Sequence, residues 1–172
     1  MEPGQVFAGF HFPGATVNNL TSSQTDEVTG CPEKTAEELR PDGWFSTGDL
    51  GQIDADGYVS VIGRAKDLVI TGGYNVYPKE VEMLLDAVPG VTESAVIGVP
   101  PPDLGEAVFA VLVGSVTPDM ALAAVGDDLA RFKQPKAAVV VAELPRNTMG
   151  KVQKNVLRDT YKAWFAESRE GG

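Results

Sequence analysis

With 172 residues, 43% of them hydrophobic, the chain has enough apolar material to bury a core and reads as globular rather than disordered, one domain or one small domain with part of another. Its 14 Lys and Arg against 24 Asp and Glu leave a net charge of -10, a field that repels nucleic acid and anionic membranes, so an anionic ligand has to be met by local cations. The single cysteine, Cys31, excludes an internal disulfide and offers no metal-ligand spacing. No apolar run approaches the roughly 20 residues of a membrane span. The start lacks the basic and apolar segments of a secretory signal, so the expectation is a soluble, intracellular protein with no metal site.

In chain order, residues 5–10 predict a strand, and residues 11–31 a Ser/Thr/Asn/Gly-rich loop. His11, the sole histidine, has no Ser, Cys or carboxylate constellation beside it and receives no catalytic role. The Asn19-Leu20-Thr21 sequon has no secretory signal to give it meaning. Residues 32–39 predict a short helix opening on Pro32 with acids in its first turn. Residues 44–50 and 52–62 predict strands, the second folded into a hairpin at Asp54-Ala55-Asp56-Gly57. Asp49 follows Ser46-Thr47-Gly48 at a strand end, where a carboxylate can accept both hydroxyls of a ribose. A turn cap is the other reading, and on Thr-Gly-Asp alone it is preferred.

The charged pentad Gly63-Arg64-Ala65-Lys66-Asp67 between two apolar strands is where a hinge would fall. Arg64 offers a planar fork for phosphate or ribose oxygens, and Gly72-Gly73 permits close backbone approach to a ligand, though a surface turn explains the glycines nearly as well. Pro78 opens a helix with Val81, Leu84, Leu85 and Val88 inward and Glu82 and Asp86 on the other face. Strands are predicted over residues 91–99 and 107–113. A helix opens at Thr117-Pro118 with Leu122, Val125 and Leu129 inward despite a costly Gly126. A strand over 137–142 and a closing helix with Val156, Leu157, Thr160, Tyr161 and Trp164 on one face complete an α/β module of a small sheet covered by helices. In Pro145-Arg146-Asn147-Thr148-Met149-Gly150-Lys151, residues 148–150 let the backbone bend, and Lys151 presents a compact cation on a mobile loop, suited to phosphate or carboxylate oxygens. Alone, such a Gly-Lys pair is an ordinary solvated loop lysine.

Taken together, Ser46-Thr47-Gly48-Asp49, Gly63-Arg64-Ala65-Lys66-Asp67 with Gly72-Gly73-Tyr74-Asn75-Val76-Tyr77-Pro78-Lys79-Glu80-Val81-Glu82, and Pro145-Arg146-Asn147-Thr148-Met149-Gly150-Lys151 resemble the acyl-CoA synthetase branch of the adenylate-forming, AMP-binding enzymes. The resemblance covers residues 32 to about 164, and within the branch it is greatest to malonyl-CoA synthetases. It implies a β-rich end of the large adenylation domain over residues 1–65, with an atypical loop at 11–31, and the small C-terminal domain over 66–172. By the same resemblance, Asp49 would hold ribose hydroxyls, Arg64 would assist at the ribose and phosphate side, and Lys66 would be the hinge. Lys151 would reach the carboxylate and α-phosphate during adenylation, and Gly72 and Gly73 would line the passage for CoA. Arg131, Lys133 and Lys154 are possible contacts for CoA phosphates, or plain surface cations.

The implied substrates are a small carboxylic acid, ATP (with Mg in the complete enzyme) and CoA, with no tightly bound cofactor. No Ser/Thr/Gly-rich phosphate loop precedes Asp49, so the large ATP- and acyl-binding domain is expected to come from elsewhere, such as a separate adenylation domain. Activity of this polypeptide alone is not expected. A non-catalytic module docking on a separate adenylation domain, and a domain loading a carrier-protein thiol, stay open beside the synthetase reading.

Overall fold

The structure, a computed structural model, describes residues 6–10, 45–56, 58–101 and 105–167. It divides into two units, Met1–Lys66 and Asp67–Gly172. The loop expected at 11–31 and the helix expected at 32–39 lie outside the described residues.

In the first unit, β1 (Val6–Phe10), β2 (Phe45–Ile53) and β3 (Val59–Arg64) form an antiparallel sheet in that order. The predicted hairpin is present. Asp54 Oδ1 accepts the backbone N–H of Asp56 at 3.0 Å and of Tyr58 at 2.8 Å, the side-chain mimicry of a turn that aspartate supplies. One boundary differs from the sequence reading, because β2 runs through Gly51 without a break. The register instead slips opposite that point: Leu50 faces Gly63 and Gly51 faces Val61, which leaves Ile62 as the extra residue of a bulge. The slip sets Arg64 directly across from Asp49.

In the second unit, β4 (Val69–Thr71) and β5 (Tyr74–Val76) form a two-stranded hairpin. β6 (Val91–Val99), β7 (Ala107–Gly114) and β8 (Ala137–Val141) form a three-stranded sheet, antiparallel at the first pairing and parallel at the second. The helices are α1 (Pro78–Asp86), α2 (Pro118–Gly126), α3 (Lys154–Tyr161) and α4 (Trp164–Glu167). A parallel pair needs a crossover, and α2 provides it. Thr117 caps α2 by accepting the N–H of Met120, with Pro118 in the first turn, where its missing N–H costs nothing.

β7 and residues 95–99 of β6 are nearly unbroken apolar runs because both faces of their sheet are covered there. Alternate residues sort between two cores. Val96, Val108, Ala110 and Leu112 pack with Val81 and Leu85 of α1 and Ala121 and Val125 of α2. Ala95, Ile97, Val99, Phe109 and Val111 pack with Leu157 of α3, and Tyr161, Trp164 and Phe165 lie against them. This is the α/β arrangement that the hydrophobic periodicity predicts. Among the described residues no helix is long and apolar enough to cross a membrane.

Some particulars depart from the sequence reading. β5 is not predicted from the sequence, since three residues are too few for alternation to register. The closing helix is broken between α3 and α4, and its inward side is Leu157, Tyr161, Trp164 and Phe165, while Val156 and Thr160 are exposed. The Thr160 hydroxyl donates back to the Val156 carbonyl at 2.8 Å, the local bond by which threonine tends to bend helices. Gly126 ends α2 rather than interrupting it, so its helix cost is that of a terminus. Glu82, assigned to the outer face of α1, is buried.

Candidate functional site

Asp49 and Arg64 form a cross-strand ion pair, with Arg64 Nε 2.9 Å from Asp49 Oδ1. Gly48, at φ 68°, precedes Asp49, and the position a Cβ would take there lies 3.8 Å from Arg64 Nη1. Glycine suits that backbone conformation, and the approach to the guanidinium is ordinary van der Waals contact. The pair is partly open to solvent, with side chains 51% exposed for Arg64 and 24% for Asp49. Pairing orients the planar fork beside a carboxylate, an arrangement suited to the hydroxyls and phosphate oxygens of a ribose phosphate.

Lys66 is exposed within the short 3-10 turn Ala65–Asp67. The residue after it is fixed: Arg158 Nη2 of α3 donates to Asp67 Oδ1 at 2.6 Å.

Gly72 and Gly73 are the two-residue turn of the β4–β5 hairpin, at φ 54° and 82°. Positive φ at both central positions is the mark of a type I′ turn, the connection whose twist suits paired strands. Nothing lies within 4 Å of a Cβ built on either residue, so within this chain the requirement for glycine is conformational rather than steric. Glu106 braces the same hairpin: its N–H donates to the Ile70 carbonyl and its Oε2 accepts the Ile70 N–H, each at 3.0 Å. Tyr74 of β5 stacks on Phe132 at a centroid distance of 4.7 Å.

Two of the three cations considered for CoA phosphates are engaged within the chain. Lys133 Nζ bonds both oxygens of Glu80, at 2.6 and 2.9 Å. Lys154 Nζ lies 2.6 Å from Glu82 Oε1. Arg131 is exposed.

Lys151 is exposed and sits on a closed turn. An antiparallel bridge joins Arg146 to Val152, and Gln153 N–H donates to the Pro145 carbonyl at 2.8 Å, closing the base of the loop. Inside it, Asn147 Oδ1 accepts the N–H of Met149 at 3.0 Å and of Lys151 at 2.9 Å. The sequence predicts a bend through residues 148–150; of these only Gly150, at φ 78°, takes a left-handed conformation. Asn147, Arg146 and Glu82 are neighbours of the candidate residues to which the sequence alone assigns no role at the site. For Asn147 a signal existed, since an Asn that opens a polar stretch ending in Gly is an Asx-turn candidate.

The candidate residues thus fall in two groups. Asp49, Arg64 and Lys66 belong to the first unit, and Gly72, Gly73 and Lys151 to the second. Among the described residues no group of three or more His, Cys, Asp or Glu is placed to hold a metal ion.

Residues 80–151, from the first turn of α1 to the loop lysine, match the AMP-binding enzyme C-terminal domain. Over these residues the chain carries an AMP-binding enzyme C-terminal domain. The 3-[(3aS,4S,7aS)-7a-methyl-1,5-dioxo-octahydro-1H-inden-4-yl]propanoyl:CoA ligase of Rhodococcus jostii is 47% identical over 135 residues, which are 76% of this chain and 26% of that ligase. The fatty acid–[acyl-carrier-protein] ligase ScoC of Streptomyces coeruleorubidus is 40% identical over 164 residues, 92% of this chain and 31% of ScoC. Among solved structures, ATP-bound MatB from Rhodopseudomonas palustris superposes with a TM-score of 0.72 at 59% identity, over 78% of this chain and 27% of MatB. The AMP-binding C-terminal domain thus comes in a chain that spans between about a quarter and a third of the length of these relatives.

Proposed function

We propose that this chain acts as the C-terminal portion of an ATP-dependent acyl-CoA synthetase, which joins a carboxylic acid to AMP with release of pyrophosphate and then exchanges AMP for the thiol of CoA. The observation that carries the reading is the exposed Lys151 on a closed turn at the end of the matched C-terminal domain. A cation delivered at a fixed backbone position suits the charge that redistributes between carboxylate and α-phosphate in the adenylation transition state. Asp49 with Arg64 would hold the ribose and phosphate side. Lys66 would serve as the hinge, a role supported by the division of the chain next to it. Gly72 and Gly73 would border the passage for CoA. A single site that serves two reactions needs one set of groups withdrawn before another arrives, which a hinge allows. The rest of the active site would come from a large adenylation domain.

The 59% identity to MatB, a malonyl-CoA synthetase, favours malonate or a near relative as the acid. The test is a fusion of residues 45–172 to the part of MatB that precedes its own counterpart of residue 45. Malonate-dependent pyrophosphate release and malonyl-CoA formation are expected. A folded fusion that makes neither refutes the reading. The match to ScoC favours a second reading, acyl transfer to a carrier-protein thiol; supplying the fusion with CoA or with a phosphopantetheinyl carrier protein separates the two.

A further inference from the structure

Lysine carries its charge on a flexible four-carbon stem, so its reach and aim depend on how firmly its backbone is held. Both backbone polar groups of Lys151 are bound by one residue: its N–H donates to Asn147 Oδ1, and its carbonyl accepts the Asn147 N–H, each at 2.9 Å. The preceding residue is held as well. Gly150 N–H donates to the Asn147 carbonyl at 2.9 Å, and the Gly150 carbonyl accepts Arg146 Nη1 at 2.6 Å. Arg146 is itself tethered, because its Nη2 pairs with Glu93 on β6. The path from the central sheet to Lys151 therefore runs through Glu93, Arg146 and Gly150, with Asn147 closing the turn from within. Each of these bonds is exposed and individually weak, but together they fix a short loop whose ordering would otherwise have to occur in the reaction step.

We propose that Asn147 and Arg146 are positioning residues that hold Lys151 in its reacting pose, with Glu93 as the anchor on the sheet. The inference rests on the role of Lys151 in adenylation given above. What Asn147 contributes is an acceptor oxygen one residue inside the loop, so aspartate can replace it and alanine cannot.

The test has two arms. In the 172-residue chain, amide exchange followed by NMR is compared for Asn147→Ala and Asn147→Asp. The alanine variant is expected to speed exchange of the Met149 and Lys151 amides by roughly fivefold or more, with β6 and β7 unchanged and the aspartate variant close to the parent. In the MatB fusion, Asn147→Ala is expected to lower the adenylation kcat by about 10- to 100-fold, with aspartate rescuing it. Thioester formation from preformed acyl-adenylate should stay within about twofold of the parent, as displacing a lysine that acts only in adenylation requires. Equal losses in both half-reactions, or no loss in either arm, overturn the positioning role. A Lys151→Ala control that keeps adenylation strikes instead at the role assigned to Lys151, and the two failures are told apart.

Discussion

Glu82 and Lys154 form an ion pair 2.6 Å long in which Glu82 Oε1 also accepts the backbone N–H of Val96 at 2.9 Å. One buried carboxylate thereby joins α1 to the edge strand β6 and to the first residue of α3, three positions beyond Lys151.

Removing one partner of such a pair strands the other. Lys154→Met leaves the Glu82 carboxylate buried with the Val96 N–H, and a loss of roughly 3 kcal/mol is expected. Glu82→Leu also orphans that N–H and should cost roughly 2–4 kcal/mol, whereas Glu82→Gln keeps an acceptor and should cost less. Combining Glu82→Leu with Lys154→Met should recover part of the loss. Urea unfolding of the four variants checks this, and additive losses in the double variant would contradict the coupling.

The β4–β5 turn separates conformational need from ligand need. Gly72→Ala and Gly73→Ala should each cost about 1–2 kcal/mol, because a Cβ is unfavourable at these positive φ values although space is open around it. Gly72→Asn creates the Asn-Gly pair that type I′ turns favour and should be tolerated in thermal unfolding. In the MatB fusion the same variant should slow thioester formation while sparing adenylation if the turn borders the CoA passage. Unchanged thioester kinetics would leave the glycines a turn and nothing more.

For Asp49 and Arg64, fold and function should come apart in the opposite sense. The pair is partly exposed, so Arg64→Ala should change stability by less than about 1 kcal/mol, and added salt should erase most of that. In the fusion, the same change should raise the KM for ATP by roughly tenfold, the scale of one hydrogen bond to a charged group. Steady-state kinetics with ATP varied is the measurement, and an unaltered KM removes Arg64 from the nucleotide site.

The second unit was the more legible half of the sequence because its elements are long and periodic. The apolar runs of β6 and β7 and the Thr117-Pro118 cap announce themselves locally. What stayed hidden depends on partners distant in sequence. Glu82 looks like an outer-face residue until Lys154, 72 positions away, is folded against it. Arg146 gains a tether only through Glu93, 53 positions away. The Ile62 bulge that faces Arg64 to Asp49 has no side-chain signature, since it is a matter of register between strands. Asn147 could have been found from turn chemistry alone, but a polar loop drew notice to its lysine rather than to the residue holding it.

The core on the α3 side turns on Phe109. Its side chain is fully buried, and its ring centroid lies 5.1 Å from Tyr161, 5.3 Å from Trp164 and 6.2 Å from Phe165. These residues carry α3 and α4 onto the sheet, and α3 begins just after the Lys151 loop. Phe109→Ala should therefore cost about 3–5 kcal/mol through lost burial and the cavity left behind. Phe109→Leu keeps most of the apolar volume but loses the tilted and edge-on ring contacts, and about 1–2 kcal/mol is expected. Urea unfolding gives the energies, and near-UV circular dichroism reports the loss of fixed aromatic packing in both variants. A Phe109→Ala cost under 1 kcal/mol would mean that the helices dock without the ring, and with it would go the claim that this cluster holds α3 in place behind the lysine loop.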